Sequence, residues 1–245
     1  MDTNNSVRLI SLDFDGTIYH SDFIPRLLDI IADECNEPLT LLQRRAGTRF
    51  VYMYFGRGYD QEALARAATE EDFFVEFSEQ LMTAIGILPP VRRRAALPVT
   101  VRALALSSQR WLEPGLVRWL EGLRERGYKL ALLTNRPNSV MDLCRELEIA
   151  HAFDLIVTRE TVGAKKPDPA PFRHMLQVLN VAPHEAVHVG DNPFTDVEGA
   201  QASGVHPVLV DPENLFPEYH AHAHRVRRVA ELEDQVLPHI SGSVL

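Results

Sequence analysis

Runs of apolar, often β-branched residues punctuate the chain at Val7–Leu12, Lys129–Leu133, Leu155–Val157, Ala186–Val189 and Val205–Val210. Such near-continuous runs predict strands buried on both faces, as in a parallel sheet. Helical periodicity fills the gaps between the later ones. Leu116, Trp119, Leu120 and Leu123 follow i, i+3, i+4, i+7 spacing, with Pro114 and Gly115 starting that helix and Gly127 stopping it. Asn138–Leu147, Pro169–Leu179 and Thr195–Ala202 read as further helices. Strands alternating with helices imply βαβ units, and therefore an α/β core with a doubly wound parallel sheet.

The alternation fails between Ile18 and Arg110. Helical patterns replace it there, the clearest over Glu70–Leu88, where Phe73, Phe77, Leu81, Ala84, Ile85 and Leu88 line one face. Thr69 is placed to cap that helix, and Pro89-Pro90 to end it. The pattern divides the chain into a core of residues 1–17 and 111–245 and a smaller, mostly helical cap domain of residues 18–110. Both ends of the insert return to one place on the sheet, so it is expected over the carboxyl end of the first strand. Ligands of open α/β sheets bind at that edge.

A chain of 245 residues with 45% hydrophobic positions can bury a core without disulfides or a structural metal. Its two cysteines, Cys35 and Cys144, make no disulfide framework and fit a reducing compartment. The formal charge of −9 argues against a nucleic-acid partner, whose phosphates demand a concentrated basic surface. Met1–Ser6 is polar, and neither a secretory signal nor an apolar run of about 18 residues is present. The expectation is a soluble, cytoplasmic protein with no membrane association.

The candidate chemistry sits where apolar strands stop. The first strand ends in Asp13-Phe14-Asp15-Gly16-Thr17. Carboxylates there are costly unless paired or metal-bound, strand alternation sends Asp13 and Asp15 to the same side, and Gly16 lets the backbone turn away. Ordinary Asp-Gly turn chemistry is the alternative reading. Leu132-Leu133-Thr134-Asn135 ends another strand in hydrogen-bonding residues that either hold an anion or cap the next helix. Gly163-Ala164-Lys165-Lys166-Pro167-Asp168-Pro169 restrains Lys166 before a proline, although a solvated lysine pair reads the same way. Val189-Gly190-Asp191-Asn192-Pro193-Phe194-Thr195-Asp196 ends a third strand in a carboxylate, with another at the start of the next helix; capping by Thr195 or Asp196 is the alternative.

Strand ends of one parallel sheet converge, so these groups would meet. In order, DFDGT at 13–17, LLTN at 132–135, KKPDP at 165–169 and GDNPFTD at 190–196 resemble the four motifs of the haloacid dehalogenase superfamily. The resemblance covers Val7–Thr17 and Glu113–Pro212, and the insert resembles the helical cap of the branch whose cap follows the first motif. It implies a Rossmann-like core and a Mg²⁺-dependent phosphomonoesterase acting on a small phosphate ester. Asp13 would be the nucleophile and Asp15 the general acid, then base. Asp13, the Asp15 backbone carbonyl and Asp191 would hold the metal, with Asp196 in support. Thr134 and Asn135 would hold phosphoryl oxygens, and Lys166 would neutralise charge.

Two other chemistries of the superfamily fit poorly. Its dehalogenases lack the second aspartate of the first motif, which is present here as Asp15. Its phosphonatases use a cap lysine, and the chain's three lysines, Lys129, Lys165 and Lys166, all lie outside residues 18–110. Phosphoglucomutase-like transfer and a noncatalytic metabolite-binding protein stay open as alternatives.

In the insert, Arg44, Arg45, Arg49 and Arg57 accompany Phe50, Tyr52, Tyr54, Phe55 and Tyr59. They read either as a cap core with a solvated arginine face or as a substrate loop, for which Arg57 is the candidate contact. Arg92–Arg94 reads as a solvated helix face, and His220, His222 and His224 as a polar surface segment. His188 is expected to hydrogen-bond inside its strand. Tyr19 and His20 stand where the chain leaves for the insert, as hinge or as substrate contacts.

Overall fold

The computed structural model describes residues 7–106 and 108–240, so Met1–Ser6 lies outside the described residues. The chain divides into two compact units, Met1–His20 with Leu112–Leu245, and Ser21–Trp111. It opens with strand β1 (Leu9–Leu12) and leaves the first unit through β2 (Tyr19–Ser21).

The second unit is helical: α1 (Phe23–Cys35), α2 (Leu41–Gly56), α3 (Tyr59–Arg66), α4 (Glu70–Ala84) and α5 (Pro89–Leu104). Its core joins Leu27, Leu28 and Ile31 of α1 to Val51 and Tyr54 of α2, Phe73, Phe77 and Leu81 of α4, and Val99 of α5. Helix α2 begins with a capping box in which Thr40 and Gln43 satisfy each other's backbone N–H groups. Thr69 caps α4 through Asp72 N–H, as its position suggested.

The end of α4 departs from the sequence reading. The helix stops at Ala84 because Gly86 takes a left-handed conformation (φ 80°), and Pro89-Pro90 opens α5 rather than closing α4. Proline suits a first helical turn, where its missing N–H has no partner to lose. The apolar face is correspondingly shorter. Phe73, Phe77, Leu81 and Ile85 are buried, whereas Ala84 is exposed and Leu88 is 69% exposed.

The chain returns through β3 (Arg110–Leu112), which pairs with β2 in a two-stranded sheet. It then builds α6 (Leu116–Glu125), β4 (Lys129–Leu133), α7 (Val140–Glu146), β5 (Leu155–Val157), α8 (Pro169–Leu179), β6 (Ala186–Gly190), α9 (Glu198–Ala202), β7 (His206–Val210) and β8 (His224–Val226). A six-stranded sheet has the order β5-β4-β1-β6-β7-β8, and each neighbouring pair in it is parallel. Period-2 alternation sorts its side chains onto two faces. Ile10, Leu12, Leu130, Leu132, Val187 and Val189 join Leu116, Leu120 and Leu123 of α6 in one core. Leu9, Ala131, Leu133 and Ala186 join Phe172, Met175, Leu176 and Leu179 of α8 in the other.

Strand β8, like β2 and β3, is an element the hydrophobic pattern did not mark. Its three residues, His224–Val226, sit at the sheet edge inside a segment whose alternating histidines read as polar surface. The helix expected over Thr195–Ala202 begins instead as a π-helical turn over Pro193–Val197, and α9 continues from it. Among the described residues, no helix is long and apolar enough to cross a membrane.

Candidate active site

Chain order steps outward from β1 to β4 to β5, then returns to the other side of β1 with β6. That reversal opens a crevice at the carboxyl ends of β1, β4 and β6, the usual ligand position in an open α/β sheet. Asp13 follows β1, Thr134 and Asn135 follow β4, and Asp191 follows β6. Asp13, Asp191 and Asp196 are all buried, and each offers a carboxylate oxygen within 4.8 Å of the others.

Two glycines make this approach possible. Gly16 has a left-handed backbone (φ 74°), and a Cβ there would stand 1.7 Å from Asp191 Oδ2. At Gly190 a Cβ would stand 2.2 Å from Asp196 Cγ. Gly190→Ala is therefore expected to cost about 1–3 kcal/mol of stability, because the crowding atoms are a buried carboxylate with fixed partners. Chemical denaturation measures the loss; an unchanged midpoint would mean that Asp196 can move aside freely.

Lys166 enters from the loop before α8 and is 2% exposed. Its Nζ lies 2.7 Å from Asp13 Oδ1 and 2.6 Å from Asp196 Oδ1. Burial alone would favour the neutral amine, but the two carboxylates outweigh it and hold the ammonium above its ordinary range. The loop is pinned by Asn135, whose amide accepts Lys166 N–H at 2.7 Å and donates to Lys166 C=O at 3.0 Å. The Asn135 side chain thus positions the lysine. Thr134 is buried, and its hydroxyl accepts Arg136 N–H at 3.2 Å.

Asp196 is fully engaged by the protein. Its Oδ1 also accepts from His188 Nε2 at 3.2 Å, and its Oδ2 accepts Asn192 N–H at 3.0 Å. His188 pairs in register with Ser11, and its Nδ1 stands 3.0 Å from Ser11 Oγ. Burial pushes the imidazole down, so it is neutral. Nε2–H then donates to Asp196 and Nδ1 accepts from Ser11. Although burial opposes ionisation of Asp196, Lys166 and His188 hold its carboxyl below the usual range. Neither Thr195 nor Asp196 caps the following turn; Asn192 does, accepting from Phe194 and Thr195 N–H.

Two of the three buried carboxylates, Asp13 and Asp196, share the buried Lys166 ammonium. The shortfall shows at Asp13: burial raises its carboxyl and Asp196 adds to the effect, against the opposing pull of Lys166, and the result is about 7. A divalent cation would supply the missing charge, and an all-oxygen donor set suits Mg²⁺. The residues therefore fit such an ion, with Asp13, Asp191 and Asp196 each offering a carboxylate oxygen within reach of one position.

Asp15 follows a different course. It is exposed and paired with Arg136, whose Nε and Nη2 reach Asp15 Oδ2 and Oδ1 at 2.7 and 2.6 Å. These hydrogen bonds hold the guanidinium above its ordinary range. Arg57 belongs to the helical unit and is exposed at the carboxyl end of α2. Tyr19 is buried and stacked on Phe14 at 4.8 Å, while His20 pairs with Glu113 at 3.0 Å.

Arg136 is the neighbour that motif reading passed over, although it directly follows Asn135 at the same strand end. Ser11 carried a signal too. It is two residues before Asp13, hence on the same side of the strand.

The chain matches the family model described as haloacid dehalogenase-like hydrolase over residues 7–204. Phosphoserine phosphatase of Thermus thermophilus is 47% identical over 111 residues, 44% of this chain and 43% of that protein. Across the first curated relatives the chain spans only 36–43% of their length. Phosphoglycolate phosphatase of Nitrosospira multiformis is 27% identical over 209 residues, 83% of each chain. Among solved structures, a HAD phosphatase from Thermococcus onnurineus superposes with a TM-score of 0.55 at 24% identity, covering 93% of this chain and 97% of its own, which speaks to fold alone. With a parallel α/β sheet that gathers the DFDGT, LLTN, KKPDP and GDNPFTD segments at one edge, and a family model matched from residue 7 to residue 204, this chain belongs to the haloacid dehalogenase-like hydrolases.

Proposed function

We propose that the protein is a Mg²⁺-dependent phosphomonoesterase that hydrolyses a small phosphorylated metabolite through an aspartyl-phosphate. The observation that carries this reading is the buried Asp13–Lys166–Asp196 contact beside Asp191 at the switch point of the sheet. Relatives named phosphoserine phosphatase and phosphoglycolate phosphatase support the same class.

In the first step an Asp13 carboxylate oxygen attacks phosphorus, the bond from phosphorus to the ester oxygen breaks, and that oxygen takes a proton from Asp15. In the second, water attacks phosphorus and gives its proton to Asp15; inorganic phosphate leaves and Asp13 is restored. Lys166 neutralises charge on Asp13 and the phosphoryl group throughout, with Thr134 and Asn135 at the phosphoryl oxygens. Mg²⁺, held by Asp13, the Asp15 carbonyl and Asp191 with support from Asp196, would screen the phosphate dianion from the carboxylates. The helical unit is assigned substrate selection, with Arg57 its candidate contact.

Release of inorganic phosphate from an aryl phosphate is the expected result with Mg²⁺ present, and its loss with EDTA. A protein that turns over none of a broad panel of phosphate esters would remove the enzyme reading and leave a binding role.

A further inference from the structure

Arg136 grips Asp15 as a two-pronged fork, at 2.7 and 2.6 Å, and the guanidinium carbon lies 5.2 Å from the Phe14 ring centroid and 5.7 Å from that of Tyr19. Phe14 and Tyr19 stack on each other beside the guanidinium, and the arginine side chain keeps 34% exposure. Both Asp15 oxygens accept N–H bonds from Arg136, so the carboxyl group is committed to the guanidinium. While the pair lasts, Asp15 is withheld from the role assigned to it above.

What can take its place on the fork is chemically narrow. A planar group with two acceptor oxygens matches a guanidinium bidentately, and the group held there now is a carboxylate. To act as acid, Asp15 must reach the ester oxygen of the substrate. A leaving group that bears a carboxylate beside that oxygen brings a second carboxylate to the same place.

We infer that Arg136 is a specificity-determining latch, holding Asp15 off-line until the carboxylate of a phosphorylated hydroxy acid replaces it on the guanidinium. This rests on the reading of Asp15 as acid and base. Substrates that need the acid but lack the carboxylate react only through the fraction of complexes in which Asp15 has let go.

Three substrates test it with Mg²⁺-loaded protein: an aryl phosphate, whose good leaving group needs no acid; ethyl phosphate; and phosphoglycolate, the same two-carbon skeleton ending in a carboxylate. Ratios of kcat/KM cancel shared phosphoryl binding and omit the later hydrolysis of the phosphoenzyme. In Arg136→Gln the ratio of phosphoglycolate to ethyl phosphate should fall about tenfold or more, as a charged hydrogen-bond partner is lost. The ratio of ethyl to aryl phosphate should rise about threefold or more, because Asp15 is no longer withheld. Arg136→Lys, which keeps the charge without the fork, should lie between, and aryl phosphate turnover reports that each variant is folded.

A fall in the ethyl-to-aryl ratio in Arg136→Gln would show that Arg136 assists Asp15, and would overturn the latch. So would an unchanged ratio of phosphoglycolate to ethyl phosphate. Asp15→Asn separates the two readings: if Asp15 is the acid, its ethyl-to-aryl ratio falls about 100-fold or more whatever Arg136 does. If that ratio stays level, the acid assignment itself fails.

Discussion

Asp13→Asn is expected to lower turnover by about 10⁴-fold or more while leaving the protein folded, because an amide nitrogen cannot attack phosphorus as a carboxylate does. Folding should survive for a reason visible in the cluster. Lys166 serves both Asp13 and Asp196, so neutralising Asp13 leaves the ammonium with one carboxylate instead of two. Asp196 keeps its bonds to His188 and Asn192 N–H. The variant should be as stable as the natural protein, or more so, with metal chelated.

The pH dependence follows with a definite sign. Asp13 has its carboxyl raised from 3.8 to about 7 in the folded chain. In that window the folded state binds more protons than the unfolded one, so this residue's contribution to stability falls as pH rises. Denaturation of metal-chelated protein across that range should show a downward slope that Asp13→Asn lacks. Identical slopes in the two proteins would mean that Asp13 is better compensated than its surroundings indicate. Wild-type turnover in the variant would overturn the nucleophile assignment.

Lys166→Met should damage both stability and activity. Removing one partner of a buried ionic group strands the other, at a cost of about 3–5 kcal/mol. Here two carboxylates lose the ammonium that touched both, Asp13 and Asp196, and Asp196 keeps only His188 and Asn192 N–H of the bonds described above. The loss should show in urea denaturation with metal chelated, and added Mg²⁺ should recover part of it by supplying positive charge to the same carboxylates. Phosphate release should fall even where the protein is folded, since nothing then neutralises the nucleophile and phosphoryl group together. A variant as stable as the natural protein would place Lys166 outside the electrostatics of the cluster.

Much of this was legible along the chain because strands of a parallel sheet are buried on both faces and announce themselves as apolar runs. The strand ends were legible for a related reason: a carboxylate directly after such a run, as at Asp13 and Asp191, has no water-rich surroundings unless something is built for it. Edge strand β8 was not legible. With three residues and two of them polar at the sheet margin, it lacks the signal that burial imposes. Nor was the end of α4, where Gly86 and Pro89 permitted either a stop or a new start and only packing selected the start of α5.

Residue order by itself determined the α/β class, the helical insertion and the residue types that cluster, since hydrophobic period and strand-end chemistry are local properties. Tertiary structure alone decided the partners. It gave Lys166 two carboxylates, placed His188 beside Ser11 and behind Asp196, used Asn135 to pin the lysine loop, and closed Arg136 on Asp15. Those choices depend on distances of a few ångströms between separate segments, up to 177 residues apart for Ser11 and His188, and local periodicity carries no record of them.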